Sequence, residues 1–358
     1  MHSASRSHRK VLGQSHSLIC DGIATMDRLR WAQELQAHCR GKYVETSCTH
    51  DRSEYFRNII TDLRSQQTER PDISTCWDFH VTSSAQTRLL PNKVGGTDEI
   101  VNEMLRNLPS CVVYIIHQLF LHRFHRDTQD EPIGWRQLYM IFLAKVRTAR
   151  TMQDYRGITL ISSLAKWYMA CIVMLLKSQV RRYSGQRWRQ LLIFGFEENH
   201  SIEQICVGLQ LLLQKGCEWS QTFPVFVLSA DVKSAFDELG LDVVVESLLY
   251  WDFPKDLIAA LIEESLDLTA VASLEGVETS PFAFTKCIRQ GGMESDWLWS
   301  LVVRRILDSC LEKWRLSGYG VNLPILGLTN HVVWADNACF VGHSLENVLA
   351  MAQDVTDV

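Results

Sequence analysis

Two short apolar stretches each end in an acid. Asp231 closes "VFVLSAD" (225–231), and Asp336 stands inside "HVVWADNACF" (331–340), followed by the amide Asn337. The second stretch reads as two strands joined by a polar turn. A carboxylate among apolar strands is costly unless a cation sits beside it. Nucleotidyl transfer needs two cations about 3.5–4 Å apart and little covalent help from protein. Mg²⁺ takes oxygen ligands, usually one or two carboxylates with water and phosphates. Aspartates at the ends of adjacent strands would meet that demand, although a turn or cap role accounts for each of them taken alone.

Periodicity outlines the helices and strands around these residues. Phe56, Ile59, Ile60 and Leu63 recur at helical spacing in "SEYFRNIITDLRSQQ" (53–67). A Gly-Gly loop, "NKVGGTDEI" (92–100), offers Thr97 or Asp98 as cap of a helix expected over about 98–125. "QLYMIFLAKV" (137–146) reads as a strand, and a helix is expected over about 161–183. The second half reads strand, helix, hairpin, helix, hairpin: 223–232, 241–251, 268–284 with Glu275-Gly276 at the turn, 295–316 and 331–341, with a last helix from 344. Helices alternating with mostly antiparallel strands predict an α+β fold with helices packed on one face of the sheet.

The apolar share of 46% and charged share of 22% in 358 residues are those of an ordinary globular chain, and no stretch reaches the 18 or more apolar residues of a membrane helix. Eleven cysteines without a CxxC pair read as reduced thiols, and no secretory signal is recognised at the N-terminus; a nuclear or cytoplasmic protein that is not secreted is expected. His38-Cys39 and Cys48-Thr49-His50 carry ligand types but fit no common zinc module. The net charge of −5 hides a segregation: residues 121–190 hold 13 Lys/Arg against 4 Asp/Glu, and residues 191–358 hold 9 against 24. A basic segment followed by an acidic one suits a grip on a polyanion by one part and on cations by another; solvated helix faces would give the same composition.

"LSADVKSAFDEL", "IRQGGMES" and "VVWADNACFVG", in this order, resemble the palm motifs of reverse transcriptases from non-LTR (LINE-type) retrotransposons. "NKVGGTDEIVNEML", "FLAKVRTARTMQDYRGITLISSLAKWYMACI" and "FGFEENHSIEQI" resemble the segments that precede them in that family, so the likeness covers roughly 90–358. It implies a polymerase right-hand fold with fingers at 91–222 and a palm at 223–358 that stops before a thumb, whereas residues 1–90, polar with helical patches, read by themselves as a helical lead-in or linker. It implies RNA-directed DNA polymerase activity, with an RNA template, a DNA primer and dNTPs as partners, no membrane, and two Mg²⁺ ions with Mn²⁺ as a substitute. Asp231 and Asp336 would be the metal-binding carboxylates and Asn337 an impaired third ligand. Phe236 would stand where the family keeps an aromatic gate against the ribose 2′-hydroxyl. Gln290 and Gly291 would lie under the nucleotide, and Lys145 and Arg156 would neutralise phosphates. Arg147, Arg150, Arg181, Arg182, Arg187 and Arg189 would face the template, with Trp135, Tyr155, Trp167 and Trp188 as stacking or core rings.

The chain departs from the family pattern at several points. Trp334-Ala335-Asp336-Asn337 replaces tyrosine–alanine–aspartate–aspartate, and Gly292, Met293, Glu294 and Asp296 replace most of a cysteine–proline–leucine–serine–proline run. Glu99 stands for a glycine, and Gly157 for a proline. Two readings therefore stay open: an impaired polymerase, and a catalytically silent retroelement relic or RNA-binding module that binds nucleic acid with strong salt dependence but extends nothing.

Overall fold

The computed structural model describes residues 17–44, 49–66, 77–125, 134–183, 188, 191–197, 200–219, 224–232, 235–286, 288–323 and 327–357. Arg187, Arg189 and Cys48 lie outside them, as do the side chains of Arg181 and Arg182. The chain divides into two compact units. One comprises Met1–Leu175 and Pro254–Met293, the other Leu176–Phe253 and Glu294–Val358.

The first unit opens with β1 (Leu18–Cys20), β2 (Ile23–Thr25), α1 (Arg28–Tyr43), α2 (Thr49–Ser65), α3 (Phe79–Arg88), α4 (Asn102–Arg106) and α5 (Ser110–Phe124). Then come β3 (Gln137–Ala144), β4 (Tyr155–Leu160) and α6 (Ser163–Tyr183), whose last turns belong to the second unit. The helix expected over 98–125 is broken in two. Pro109 caps α5, and a proline there removes a backbone donor and clashes with the preceding turn. Asp98 does not cap a helix: its carboxylate accepts from the Ser162 hydroxyl at 2.7 Å and from the Ile100 N–H at 3.3 Å.

In the second unit, α7 (Ile202–Trp219) precedes β5 (Phe226–Asp231), α8 (Ala235–Glu238) and α9 (Leu241–Tyr250). The chain then returns to the first unit for α10 (Lys255–Glu263), β6 (Leu268–Leu274), β7 (Val277–Glu278) and β8 (Phe282–Phe284), with Glu275 and Gly276 at positive φ as a tight hairpin turn requires. The second unit closes with α11 (Ser295–Leu316), β9 (Val321–Leu323), β10 (Gly327–Thr329), β11 (His331–Trp334), β12 (Asn337–Gly342) and α12 (Leu345–Thr356). The short β9–β10 pair carries too little alternation to be read from sequence.

In the first unit the sheet order is β4-β3-β6-β7, with β8 also on β6; β3 and β6 run parallel and the other pairs antiparallel. The N-terminal helices are built into this unit. Phe56, Ile60 and Leu63 are buried on α2, which packs on α10 with Arg57 paired to Asp267 at 2.6 Å and Arg64 to Glu263 at 2.7 Å. Tyr43 of α1 stacks on Phe284, and its carbonyl accepts from the N–H groups of Thr285 and Lys286.

The second unit holds the sheet β11-β12-β5, antiparallel throughout. Trp314 of α11 meets His331 and Phe340 on one face and donates to Asp354 of α12. At the far end of the other face, Val341 and Val227 pack with Leu212 of α7 and Val321 of β9. The end of that face bearing Ser229, Asp231 and Asn337 is exposed. Both units are α+β.

Candidate active site

The hairpin register decides which side chains meet. Trp334 pairs with Asn337, so Ala335 and Asp336 form a two-residue turn, and Asn337 in turn pairs with Asp231. The Val232 N–H donates to the Asp336 carbonyl at 2.9 Å. That bond makes Asp231 and Asn337 a non-hydrogen-bonded pair, the kind with Cα atoms about 4.5 Å apart and side chains side by side. Trp334, Asn337 and Asp231 therefore form one row across three strands, with Asp336 in the turn beside them. The Asn337 amide also donates to Asp336 Oδ1 at 3.3 Å.

Asp231 is exposed and Asp336 half-buried, and among the described residues no cation pairs with either. Two carboxylates with an amide oxygen next to them make an all-oxygen donor set, which fits a hard divalent cation completed by water and phosphate. No group of three or more His, Cys, Asp and Glu gathers among the described residues. Burial pushes the Cys39 thiol up to about 12.

Three features hold the hairpin in place. The segment 191–197 runs alongside β11: Ile193 bridges to Val333 in parallel sense, and N–H groups of Phe194 and Val333 donate to the carbonyls of Val333 and Leu192. Gly195 lies flush on the turn, where a Cβ would come 2.1 Å from the Ala335 nitrogen. Arg304, 2% exposed on α11, donates to the carbonyls of Trp188 and Ile193 and to Glu197 at 2.8–3.0 Å, and its guanidinium stacks over the Trp188 ring. Burial lowers its pKa to about 10, which leaves it charged at neutral pH. Sequence reasoning did not single out Arg304. Its signal was a charge three residues after Leu301 on the apolar stripe of α11, a position that demands partners.

Phe236, on α8, is half-buried between Phe196 and Trp299, with ring centroids 6.3 and 6.0 Å away. Glu294, one of the acids foreign to the family pattern, is buried at the start of α11.

The other expected residues gather in the first unit around β4, an edge strand. Arg156 pairs across from Leu143, so Arg156 and Lys145 share the outer face of the β3–β4 hairpin, and both are exposed. Lys145 donates to the Gln153 carbonyl at 3.1 Å. The Gln290 carbonyl accepts from the Thr159 N–H at 2.7 Å, and Gly291, at φ +112°, leaves no room for a Cβ, which would lie 2.6 Å from the Thr159 carbonyl oxygen. Arg147 and Arg150 are exposed on the β3–β4 loop, whereas Trp135, Tyr155 and Trp167 of this unit, like Trp188 of the second, are core rings.

Among the described residues no helix is long and apolar enough to cross a membrane. The family described as reverse transcriptase (RNA-dependent DNA polymerase) matches residues 145–358. The transposon TX1 uncharacterized 149 kDa protein of Xenopus laevis is 22% identical over 278 residues, covering 77% of this chain and 19% of that protein. The chain thus spans about a fifth of that relative's length. The apo telomerase from Candida tropicalis, truncated from its C-terminal domain, shares 12% identity with a TM-score of 0.41 over 70% of this chain and 52% of its own. The matched family region takes in more than half of the chain and contains Asp231, the Trp334–Asn337 hairpin and, in the first unit, Lys145, Arg156, Gln290 and Gly291; the protein belongs to the reverse transcriptase family.

Proposed function

We propose that this protein is the reverse transcriptase domain of a non-LTR retroelement, adding dNTPs to a DNA primer 3′-hydroxyl on an RNA template with Mg²⁺, at reduced efficiency. One observation carries the reading: the antiparallel register sets the Asp231 strand end against the Asp336–Asn337 turn. Asp231 and Asp336 would hold the cations. These would supply charge stabilisation at the transferring phosphoryl group and activation of the attacking hydroxyl. The chain's own groups do the rest. The Phe236 ring offers no partner to a 2′-hydroxyl and so favours deoxynucleotides. In the first unit, Lys145 and Arg156 present charge to phosphates, and the Gly291 backbone allows close approach of a ligand.

The silent reading also has a specific support. The side chain directly opposite Asp231 is the neutral amide of Asn337, not a carboxylate. Primer extension on an RNA template, in Mg²⁺ and then Mn²⁺, separates the two. Extension that Asp231→Ala abolishes supports the polymerase. RNA binding without extension, even in Asn337→Asp, supports the silent module.

A further inference from the structure

Trp299 sits among the buried residues of α11, yet packing alone does not account for its contacts. Its indole N–H donates to the Ala335 carbonyl at 2.9 Å, and its ring stands 6.0 Å from that of Phe236. Ala335 has φ +55°, a left-handed conformation that costs a residue other than glycine free energy. Such a turn persists only when its surroundings hold it. On the nitrogen side Gly195 presses against Ala335; one residue on, the Asp336 carbonyl takes the Val232 N–H. The Ala335 carbonyl between them is held by Trp299.

We propose that Trp299 is a positioning residue: it holds the strained Ala335–Asp336 turn and fixes its spacing from the Phe236 ring, so that one helix side chain sets both the metal-side and the sugar-side groups of the site. The functional half of this statement rests on the polymerase reading, which assigns Asp336 and Phe236 their roles. The holding half does not.

Trp299→Phe keeps an aromatic ring and removes the donor. Hydrogen exchange of peptides spanning β11 and β12, followed by mass spectrometry in the full chain, reads the turn without any need for activity. The expected result is exchange about fivefold faster in this hairpin, the ratio for one hydrogen bond of about 1 kcal/mol, with α12 and the first unit unchanged. Adding Ala335→Gly should return the hairpin to the wild-type rate, because glycine takes the left-handed turn without restraint. A core-filling role would not be rescued in this way. Unchanged exchange in Trp299→Phe, or faster exchange throughout the second unit that Ala335→Gly leaves as it is, overturns the proposal. Primer extension with dNTPs and NTPs on the same proteins is the second arm. Trp299→Phe should lower kcat more than it raises KM and narrow the preference for dNTPs. If the wild-type chain extends no primer with either metal while the exchange result holds, the polymerase reading fails and the holding role stands.

Discussion

Asn337 is the residue on which the strength of the site turns. It lies directly opposite Asp231 and donates to Asp336, so its amide fills a place where a carboxylate would add charge to the donor set. Loss of one electrostatic stabiliser typically costs about 10²–10³ in rate. Asn337→Asp should therefore raise Mg²⁺-dependent extension by about 10², measured as single-nucleotide incorporation. Without divalent ions the same variant should melt at a lower temperature than the wild type, because like charges then face each other across the strands; adding Mn²⁺ should reverse the order. A second residue-scale effect concerns Glu99, which has φ +54° where the family pattern has glycine. Glu99→Gly should stabilise the fold by about 1 kcal/mol in urea unfolding, through relief of left-handed strain.

At the scale of elements, the hairpin, its partner strand β5 and the long helix α11 were legible from alternation and helical spacing, and so was the acid at each strand end. The register was not. Nothing in the sequence says whether Asp336 or Asn337 faces Asp231, because that follows from which backbone groups pair. The split between α4 and α5 was legible in principle, since Pro109 marks it. The extended run 191–197 was hidden because it contributes one bridge and two hydrogen bonds rather than an alternating strand. That run nevertheless supports the turn. Gly195→Ala would force a Cβ into the Ala335 backbone, which has no flexible side chain to yield, and should destabilise the second unit by about 3 kcal/mol by chemical denaturation. On the β3–β4 hairpin, the double variant Lys145→Ala/Arg156→Ala should weaken RNA binding about equally for all sequences. If both contact phosphates, it should flatten the salt dependence by about one to two units of log–log slope, as read by filter binding.

For the whole molecule, pH acts through a buried histidine on the strand that leads into the turn. His331 is fully buried on β11, with Nε2 2.6 Å from the Leu191 carbonyl and Nδ1 2.7 Å from the Asn330 side chain. Burial lowers its pKa to about 4, with the Arg304 charge adding to the effect and the Leu191 bond opposing it. The folded state thus holds it neutral while the unfolded chain takes up a proton below about 6.5. The contribution of this histidine to stability is complete above that pH and should fall as pH drops toward 4, by about 3 kcal/mol. Carboxylates held below their usual range, such as Asp154, Asp267 and Asp354, add their losses at lower pH. Unfolding free energies between pH 7 and 4 should show this slope, and His331→Gln should flatten it. The most direct test of the central claim, that the register builds a divalent-cation site from Asp231 and Asp336, is anomalous scattering from crystals of the full chain soaked in Mn²⁺. A peak is expected about 2.0–2.4 Å from oxygens of both carboxylates, lost in Asp231→Ala. Carboxylates that point apart, with no peak between them at saturating Mn²⁺, would contradict it.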